Sequence, residues 1–449
     1  MQSEKQTFIK KYGEGYPHIK LSDGASETLR RPLKLGKKEL ANRIVFQPME
    51  GCDGTASGAP GALTERRYLR FAESGAGMIW LEAVAVSGEG RANPRQLYLT
   101  EETMPAFAEL AEKIKERCLK VNGYEPAVVL QATHSGRYSK PRGVPEPIIA
   151  YNNPLFEKDA PIPADRIISD EACDELPEKF AATASLAKRC GFDGIDVKCW
   201  HRYRLSEFMS AYERLGKYGG GFANRARLYL SCIEGAKTAE TENFFVTSRL
   251  NVYDGFAYPY GFGVSPDGTL EPDLAEPEKL IGILSEKYGL KLLNVTIGNP
   301  YVNPHVNRPF FAGPYANPEK PVQGVERIAA ITGSLQKKFP QVNMVLSGTS
   351  ALREYAAAYG AGMIEDGSCG LAGFGRMAFA GGAGVWVVRI GGVRGVDGSG
   401  AGIRARPGGD GEPSRGKVLG GMVEVLGNDA CGQSGGMPRV RQGRIFGDL

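Results

Sequence analysis

The chain has 449 residues, a formal net charge of +4 and a hydrophobic fraction of 42%. This length allows one large barrel with insertions or two ordinary domains, and the apolar fraction allows a sizeable core. The small net charge gives no reason to expect nucleic acid or an anionic membrane as a partner. Because no segment approaches about 18 consecutive uncharged apolar residues, we expect no membrane-spanning helix.

Cysteine usage and the first residues of the chain bear on its cellular location. The eight cysteines are scattered and form no CxxC pair. We therefore expect reduced thiols rather than a disulfide framework or a metal cluster, and we predict no metal site. The N-terminal residues are polar and lack the apolar core of a signal peptide. Both observations favour a cytoplasmic protein.

Eight runs of largely apolar residues recur along the chain, and each predicts a β-strand. Runs without strict alternation are typical of strands that are covered on both faces. The runs are 43–49, 77–86, 127–134, 194–198, 244–252, 291–298, 343–348 and 369–374. Helical patterns lie between them at 64–74, 101–121, 170–190, 223–239, 276–288, 324–338 and 350–366.

This eightfold alternation of strand and helix predicts a (β/α)8 TIM barrel of the α/β class, with an open doubly wound sheet as the alternative. Residues 33–42 alternate and contain a Gly-Lys turn, which predicts a small hairpin at the floor of the barrel. We divide the chain into an N-terminal extension (1–32), the barrel (33–380) and a C-terminal tail (381–449).

The tail differs in kind from the barrel. It is rich in glycine, contains only two aromatic residues and shows no sustained helical or strand period. The eighth barrel helix is expected where the tail begins. Disorder is one interpretation, and a reading-frame slip after Ala380 in a GC-rich gene is the other.

The residues after the fourth run carry the strongest functional signal. This run ends in Lys198, Cys199, Trp200, His201, Arg202 and Tyr203. In an α/β barrel the carboxyl ends of the strands carry the catalytic groups. The reactive side chains at this strand end therefore predict one wall of an active site.

Five motifs in chain order resemble the old yellow enzyme family of FMN-dependent NAD(P)H:flavin oxidoreductases. They are NRIVFQPM, LEAVAVSGEGR, LQATHSGR, the block from GIDVKCWHRY to YGGGFANRAR, and GFGRM. The resemblance runs from about Leu33 to Phe379. It implies the same barrel fold, FMN as the cofactor, and NADH or NADPH as the hydride donor.

The predicted flavin site combines barrel geometry with this resemblance. A phosphate on a barrel is usually held by the loops after strands seven and eight, where glycines admit close backbone approach and arginine supplies forked donors. These loops contain Gly348, Thr349, Gly375 and Arg376. Two ordinary strand-ending turns are the alternative. For the isoalloxazine ring, the resemblance implies contacts from Pro48, Met49, Glu50, Ala83, Gln131 and Arg249. A structural salt bridge is the alternative role for Arg249.

The resemblance also places three residues at the substrate. The family usually has His-x-x-His or His-x-x-Asn followed two residues later by Tyr, and the matching positions here are Lys198, His201 and Tyr203. It implies that the first two bind the carbonyl oxygen of an α,β-unsaturated substrate and that Tyr203 protonates the α-carbon. Lys198 departs from the usual pattern, but its charge suits an oxygen on which negative charge develops. Ordinary packing or a solvated strand end is the alternative role for these residues.

Three more residues are weaker candidates for lining the substrate pocket. His134 ends the third run, Cys52 follows the first, and His305 lies in the loop after the sixth. For Cys52 a purely structural role is equally consistent with the sequence.

Together these features predict an ene-reductase-type oxidoreductase that acts on a small unsaturated carbonyl compound by a ping-pong mechanism. Amine oxidation or demethylation on the same barrel is one alternative, and a catalytically impaired flavin-binding barrel, suggested by the tail, is another. The single tail cysteine is too few for the iron–sulfur cluster of larger relatives, unless a cluster was lost with a frame slip. The sequence leaves open the substrate, the choice between NADH and NADPH, and homo-oligomerisation.

Overall fold

A closed barrel of eight parallel strands forms the centre of the molecule. The computed structural model describes residues 2–313 and 315–380. Two short strands, β1 (Leu33–Leu35) and β2 (Lys38–Leu40), precede the barrel. The barrel strands are β3 Ile44–Phe46, β4 Met78–Ala85, β5 Ala127–Thr133, β6 Gly194–Val197, β7 Phe245–Asn251, β8 Leu292–Thr296, β9 Asn343–Leu346 and β10 Leu371–Phe374. They follow one another around the barrel in chain order, and β10 closes it by pairing with β3. The predicted (β/α)8 fold is confirmed.

Burial on both faces explains why the strands were recognisable as apolar runs. Every residue of β4 is buried, for example, as is typical of parallel strands that are covered by helices. The predicted runs are longer than the observed strands because they include polar residues at the carboxyl ends. In the first run, residues 47–49 continue beyond β3 and lead into the site described below.

The hairpin of β1 and β2 closes the floor of the barrel, as predicted. The two strands pair antiparallel. Leu35 and Leu40 are buried in one cluster with Val45, Trp80 and Val129, which lie in the first halves of barrel strands. Because this end is filled with apolar side chains, the carboxyl ends of the strands are left to form the site.

Helices connect the strands in the expected alternation. Their bounds are α1 Glu4–Tyr12, α2 Ala25–Leu29, α3 Ala62–Glu73, α4 Met104–Asn122, α5 Pro154–Glu157, α6 Asp170–Asp174, α7 Leu176–Arg189, α8 Arg204–Phe208, α9 Phe222–Lys237, α10 Ala275–Glu286, α11 Pro304–Asn307, α12 Pro321–Lys338, α13 Ala356–Glu365 and α14 Met377–Ala380. The helix predicted at 170–190 is two helices, and a proline in the first turn of α7 fits a new helix start. The helix predicted at 350–366 begins as a 3-10 segment, Thr349–Tyr355, before α13.

The N-terminal extension packs on the last helices of the barrel. The ring of Phe8 in α1 meets the ring of Tyr355 edge-on at 5.4 Å between centroids. The Ser22 hydroxyl donates a hydrogen bond of 2.7 Å to Glu365 of α13. Of the helices within the described ranges, none combines the length and the apolar character that crossing a bilayer requires. The predicted tail, 381–449, lies outside the described residues.

Candidate active site

The turn after β6 places its side chains through an unusual backbone path. Lys198 follows the strand directly, and the indole of Trp200 donates a hydrogen bond of 2.9 Å to the carbonyl of Gly298, after β8. His201 and Arg202 have φ of 69° and 51°, in the left-handed region that non-glycine residues seldom adopt. Tyr203 then precedes the first residue of α8.

Arg202 anchors this turn away from the other reactive residues. Its guanidinium lies 4.6 Å from the ring centroid of Phe156 and 5.5 Å from that of Phe256. It also donates to the Asp254 carboxylate at 3.3 Å and to the Tyr260 carbonyl at 2.8 Å. Arg202 thus joins the long loops that follow β5 and β7, and it serves as a structural clamp.

Lys198 is buried between a carboxylate and an aromatic ring. Its Nζ lies 3.3 Å from Glu50 Oε1 and 4.4 Å from the ring centroid of Tyr203. Only 2% of Lys198 is exposed. Burial lowers the pKa of Lys198, and the nearby Glu50 carboxylate opposes this change. The sequence predicted both residues in the site but did not predict that they pair.

His201 presents a neutral imidazole beside this lysine. Burial, followed by the charges of Lys198 and Arg249, holds the pKa of His201 well below its usual value of 6.5. Its ring centroid lies 5.1 Å from that of Tyr203. Within the described residues, the buried Nδ1 of His201 has no hydrogen-bond partner. A buried polar atom of this kind is unfavourable unless a ligand or water satisfies it.

Tyr203 faces a second tyrosine that the sequence did not single out. The two hydroxyl oxygens of Tyr203 and Tyr301 lie 2.6 Å apart. Tyr203 is only 1% exposed, whereas Tyr301, in the loop after β8, is 49% exposed. No local pattern connects these residues, because they follow different strands of the barrel.

A buried carboxylate organises the polar residues at the barrel mouth. Asp196 accepts hydrogen bonds from Gln131 Nε2 at 2.6 Å, from the Trp80 indole at 3.0 Å and from the Arg249 amide at 2.6 Å. Burial raises the pKa of Asp196 to about 6, although these hydrogen bonds oppose the change. Asp196 was not among the predicted site residues, although a charged residue inside the apolar run of β6 was a usable signal.

Arg249 lies next to the residues predicted behind the flavin ring. It donates to the carbonyl of Pro48 at 3.2 Å, and its guanidinium is 4.0 Å from the Trp200 ring centroid. Burial lowers its pKa to about 9. Ala83 pairs with Gln131 in the sheet, so both lie at one level of neighbouring strands. The structure therefore brings these predicted residues to one end of the barrel.

The two predicted phosphate loops also adjoin each other. Gly348 adopts φ of 80°, and the Thr349 hydroxyl donates a hydrogen bond of 2.7 Å to the carbonyl of Gly373. A Cβ at Gly375 would lie 3.7 Å from the sulfur of Met49. Arg376 is exposed. The loops thus meet beside Met49, while the side chain of Thr349 bonds to the protein backbone.

The weaker candidates make their contacts with loop residues. His134 is buried, accepts a hydrogen bond from the Gly136 amide at 3.0 Å, and has its pKa lowered to about 4, mainly by burial. Asn93 donates to the sulfur of Cys52 at 3.1 Å. His305 Nδ1 lies 2.5 Å from the hydroxyl of Tyr315. Roles of these three residues toward a substrate stay predictions.

Sequence comparison identifies the family of this barrel. Residues 28–262 match the NADH:flavin oxidoreductase / NADH oxidase family. The chain belongs to this family. The family that the sequence motifs predicted is thus confirmed.

The matches to individual relatives cover only part of each relative's length. An NADPH dehydrogenase of Bacillus subtilis (strain 168) is 30% identical over 228 residues, which are 49% of this chain and 63% of the relative. An NADH oxidase of Thermoanaerobacter brockii is 30% identical over 276 residues, 59% of this chain and 38% of the relative. The chain thus spans about two fifths to three fifths of these relatives.

Solved structures support the fold. Morphinone reductase in complex with tetrahydroNAD has a TM-score of 0.57 and 21% identity, covering 78% of this chain and 86% of that chain. An old yellow enzyme homologue from Zymomonas mobilis has a TM-score of 0.57 and 19% identity, with coverage of 78% and 88%. Histamine dehydrogenase from Rhizobium sp. 4-9 has a TM-score of 0.57 and 19% identity, covering 80% and 47%. At these identities the likeness establishes the barrel alone.

The site residues fit the flavin of this family. Arg249 Nε is buried and has no hydrogen-bond partner within the described part of the chain. A donor of this kind suits the N1–C2=O edge of a flavin, where the reduced ring carries negative charge. Gln131, on the neighbouring wall, is held by Asp196 in one orientation. The donor set therefore fits a flavin pyrimidine edge, the contact that the family resemblance implies for Gln131 and Arg249, and these roles stay predictions.

Proposed function

We propose that this protein is an FMN-dependent oxidoreductase that takes hydride from NADH or NADPH and reduces the C=C bond of an α,β-unsaturated carbonyl compound. The observation that carries this proposal is the buried, unpartnered Nδ1 of His201 beside Lys198 and Tyr203. These three groups supply two polar contacts for a carbonyl oxygen and one proton donor. We also infer a cytoplasmic location, as expected from cysteines that are scattered along the chain without a CxxC pair.

This chain would hold FMN through residues at the carboxyl ends of its strands. Gln131 and Arg249 would face the pyrimidine edge, Pro48 and Met49 would lie behind the ring, and the loops containing Gly348 and Arg376 would hold the phosphate. When bound, FMN supplies hydride transfer from NAD(P)H to the β-carbon of the substrate.

The role of Lys198 and His201 follows from where charge develops. As hydride reaches the β-carbon, negative charge grows on the carbonyl oxygen, and preorganised donors there lower the barrier. Lys198 offers a positive charge in a buried setting, where electrostatic interactions are stronger than in water. His201, neutral because of its lowered pKa, offers one N–H of its imidazole as a second donor.

Tyr203 completes the reaction by protonating the α-carbon. Its ring lies against Lys198 and near the His201 imidazole. A nearby ammonium ion stabilises the phenolate that remains after proton transfer. One face of the site thus supplies both the carbonyl contacts and the proton.

Amine oxidation is the principal alternative, because the fold is shared with a histamine dehydrogenase. The charges of the site argue against it. Lys198 is a buried cation on the proposed substrate wall, and Arg249 at the proposed flavin edge is a second one. A protonated amine would be repelled by both. Glu50, the acidic residue beside Lys198, is already paired with that lysine.

An anaerobic titration tests the proposal. The purified protein with FMN is bleached with NADPH or NADH and is then mixed with enones or with amines in separate experiments. We expect enones to restore the oxidised flavin spectrum and steady-state kinetics to be ping-pong. Reduction of the oxidised flavin by an amine, with no reaction of the reduced flavin with enones, would favour the alternative. A protein that takes up no FMN would instead indicate an impaired barrel.

A further inference from the structure

We propose that Tyr301 relays protons from solvent to Tyr203, an inference that rests on the proposed alkene reduction. The two hydroxyl oxygens are 2.6 Å apart, a normal hydrogen-bond distance for two O–H groups. Tyr203 is 1% exposed and Tyr301 is 49% exposed. This hydrogen bond therefore links the buried phenol of Tyr203 to a residue that is half exposed to solvent.

Contacts in the loop after β8 hold Tyr301 in this position. The Tyr301 amide donates to Asn299 Oδ1 at 2.8 Å, and its ring stacks on Tyr138 with 4.1 Å between centroids. Asn299 Nδ2 in turn lies 3.4 Å from both the Tyr138 hydroxyl and the His201 carbonyl. The loop after β8 is thus tied to the turn that carries Tyr203, which fixes the distance between the two hydroxyls.

The relay would return a proton to Tyr203, which is buried and has little contact with water. In each turnover the O–H bond of Tyr203 breaks and a C–H bond forms at the α-carbon of the substrate. Tyr203 must regain a proton before the next cycle, and little of its surface reaches water. The Tyr301 hydroxyl transfers its proton to the Tyr203 phenolate, and water then reprotonates Tyr301. The proton balance closes with one solvent proton consumed per alkene reduced.

Tyr301→Phe tests the relay because it removes the hydroxyl and keeps the ring that stacks on Tyr138. Tyr258→Phe is the matched control, since Tyr258 is similarly exposed at 42% and lies in another loop. We expect Tyr301→Phe to slow reoxidation by an enone roughly tenfold, which is less than the about 10²–10⁴-fold typical of a group that transfers the proton to the substrate directly. Reduction by NADPH and reoxidation by ferricyanide, which needs no carbon protonation, are expected to stay within about twofold.

A second readout does not depend on turnover. With 3-fluorotyrosine placed at position 203, fluorine NMR reports the ionisation of that phenol. We expect Tyr301→Phe to raise its pKa, because the phenolate loses a hydrogen-bond donor, whereas Tyr258→Phe leaves it unchanged. Equal slowing of the enone and ferricyanide reactions, or an unchanged enone rate, would overturn the relay. A wild-type protein that reacts with ferricyanide but with no enone would refute the proposed function, and the relay with it.

Discussion

Replacing Lys198 by methionine tests the central electrostatic element of the proposed reaction. Methionine keeps an unbranched side chain of similar length but removes the charge and the N–H donors. Because Lys198 is 2% exposed, water cannot easily replace its contribution. Loss of one preorganised donor from such a site typically costs about 10²–10³-fold in rate, or ~3–4 kcal/mol of transition-state stabilisation. We expect a loss of this size in alkene reduction and almost none in flavin reduction by NADPH.

Stopped-flow absorbance of the flavin separates the two half-reactions and measures this loss. Glu50→Gln is the informative companion, since it keeps Lys198 but removes the carboxylate 3.3 Å from its Nζ. In that variant the pKa of Lys198 falls further. As pH rises, Lys198 therefore loses its charge, and alkene reduction slows, at a lower pH than in the wild type. Unchanged alkene reduction in Lys198→Met, with FMN bound normally, would refute a carbonyl-binding role for this residue.

Three other outcomes follow from the geometry. Because the pKa of His201 lies well below 6.5, its protonation should leave the rate of alkene reduction unchanged between about pH 6 and pH 8, and a pH–rate profile checks this. Burial raises the pKa of Asp196 from its ordinary value of 3.8 to about 6, so Asp196 binds its proton more tightly when the protein is folded, and the resulting stabilisation is lost as pH rises. In the wild type this loss lowers the unfolding free energy by roughly 1 kcal/mol between about pH 5 and pH 7. Asp196→Asn should lack this part of the decline, and urea denaturation at each pH measures it. Leu40→Ala in the floor hairpin should destabilise the protein by about 2–5 kcal/mol while flavin reduction rates stay unchanged.

Much of the fold was predictable because it depends on local patterns. Strands buried on both faces appear as apolar runs, and all eight barrel strands lie within the predicted ranges. The exact bounds were less accessible, since the same run can continue past the sheet. Gln47, for instance, was assigned to a strand, but it lies beyond β3, where its side chain accepts a hydrogen bond of 2.7 Å from Asn294 Nδ2.

The residues of the proposed substrate wall were predictable because they lie together in one segment, whereas the flavin contacts were predicted from the family resemblance. Lys198, His201 and Tyr203 lie within six residues of one another, and the end of a strand marks them. Their partners Glu50 and Tyr301 follow the first and sixth strands of the barrel, and closure of the sheet brings them into contact. A single sequence carries no local signal for such pairs, because the distance between them is set by tertiary structure.

Strand periodicity alone would have placed the wrong residues of the segment 198–203 on the same face. Alternation would place Lys198, Trp200 and Arg202 on one face and His201 and Tyr203 on the other. The strand ends at Val197 instead, and two successive residues with positive φ redirect the chain. Such conformations cost about 1–3 kcal/mol each for non-glycine residues and persist only where surrounding contacts enforce them. The contacts of the buried Arg202 side chain supply this constraint. Arg202 does not face the proposed substrate, but it holds the turn in the conformation that brings Lys198 against the ring of Tyr203.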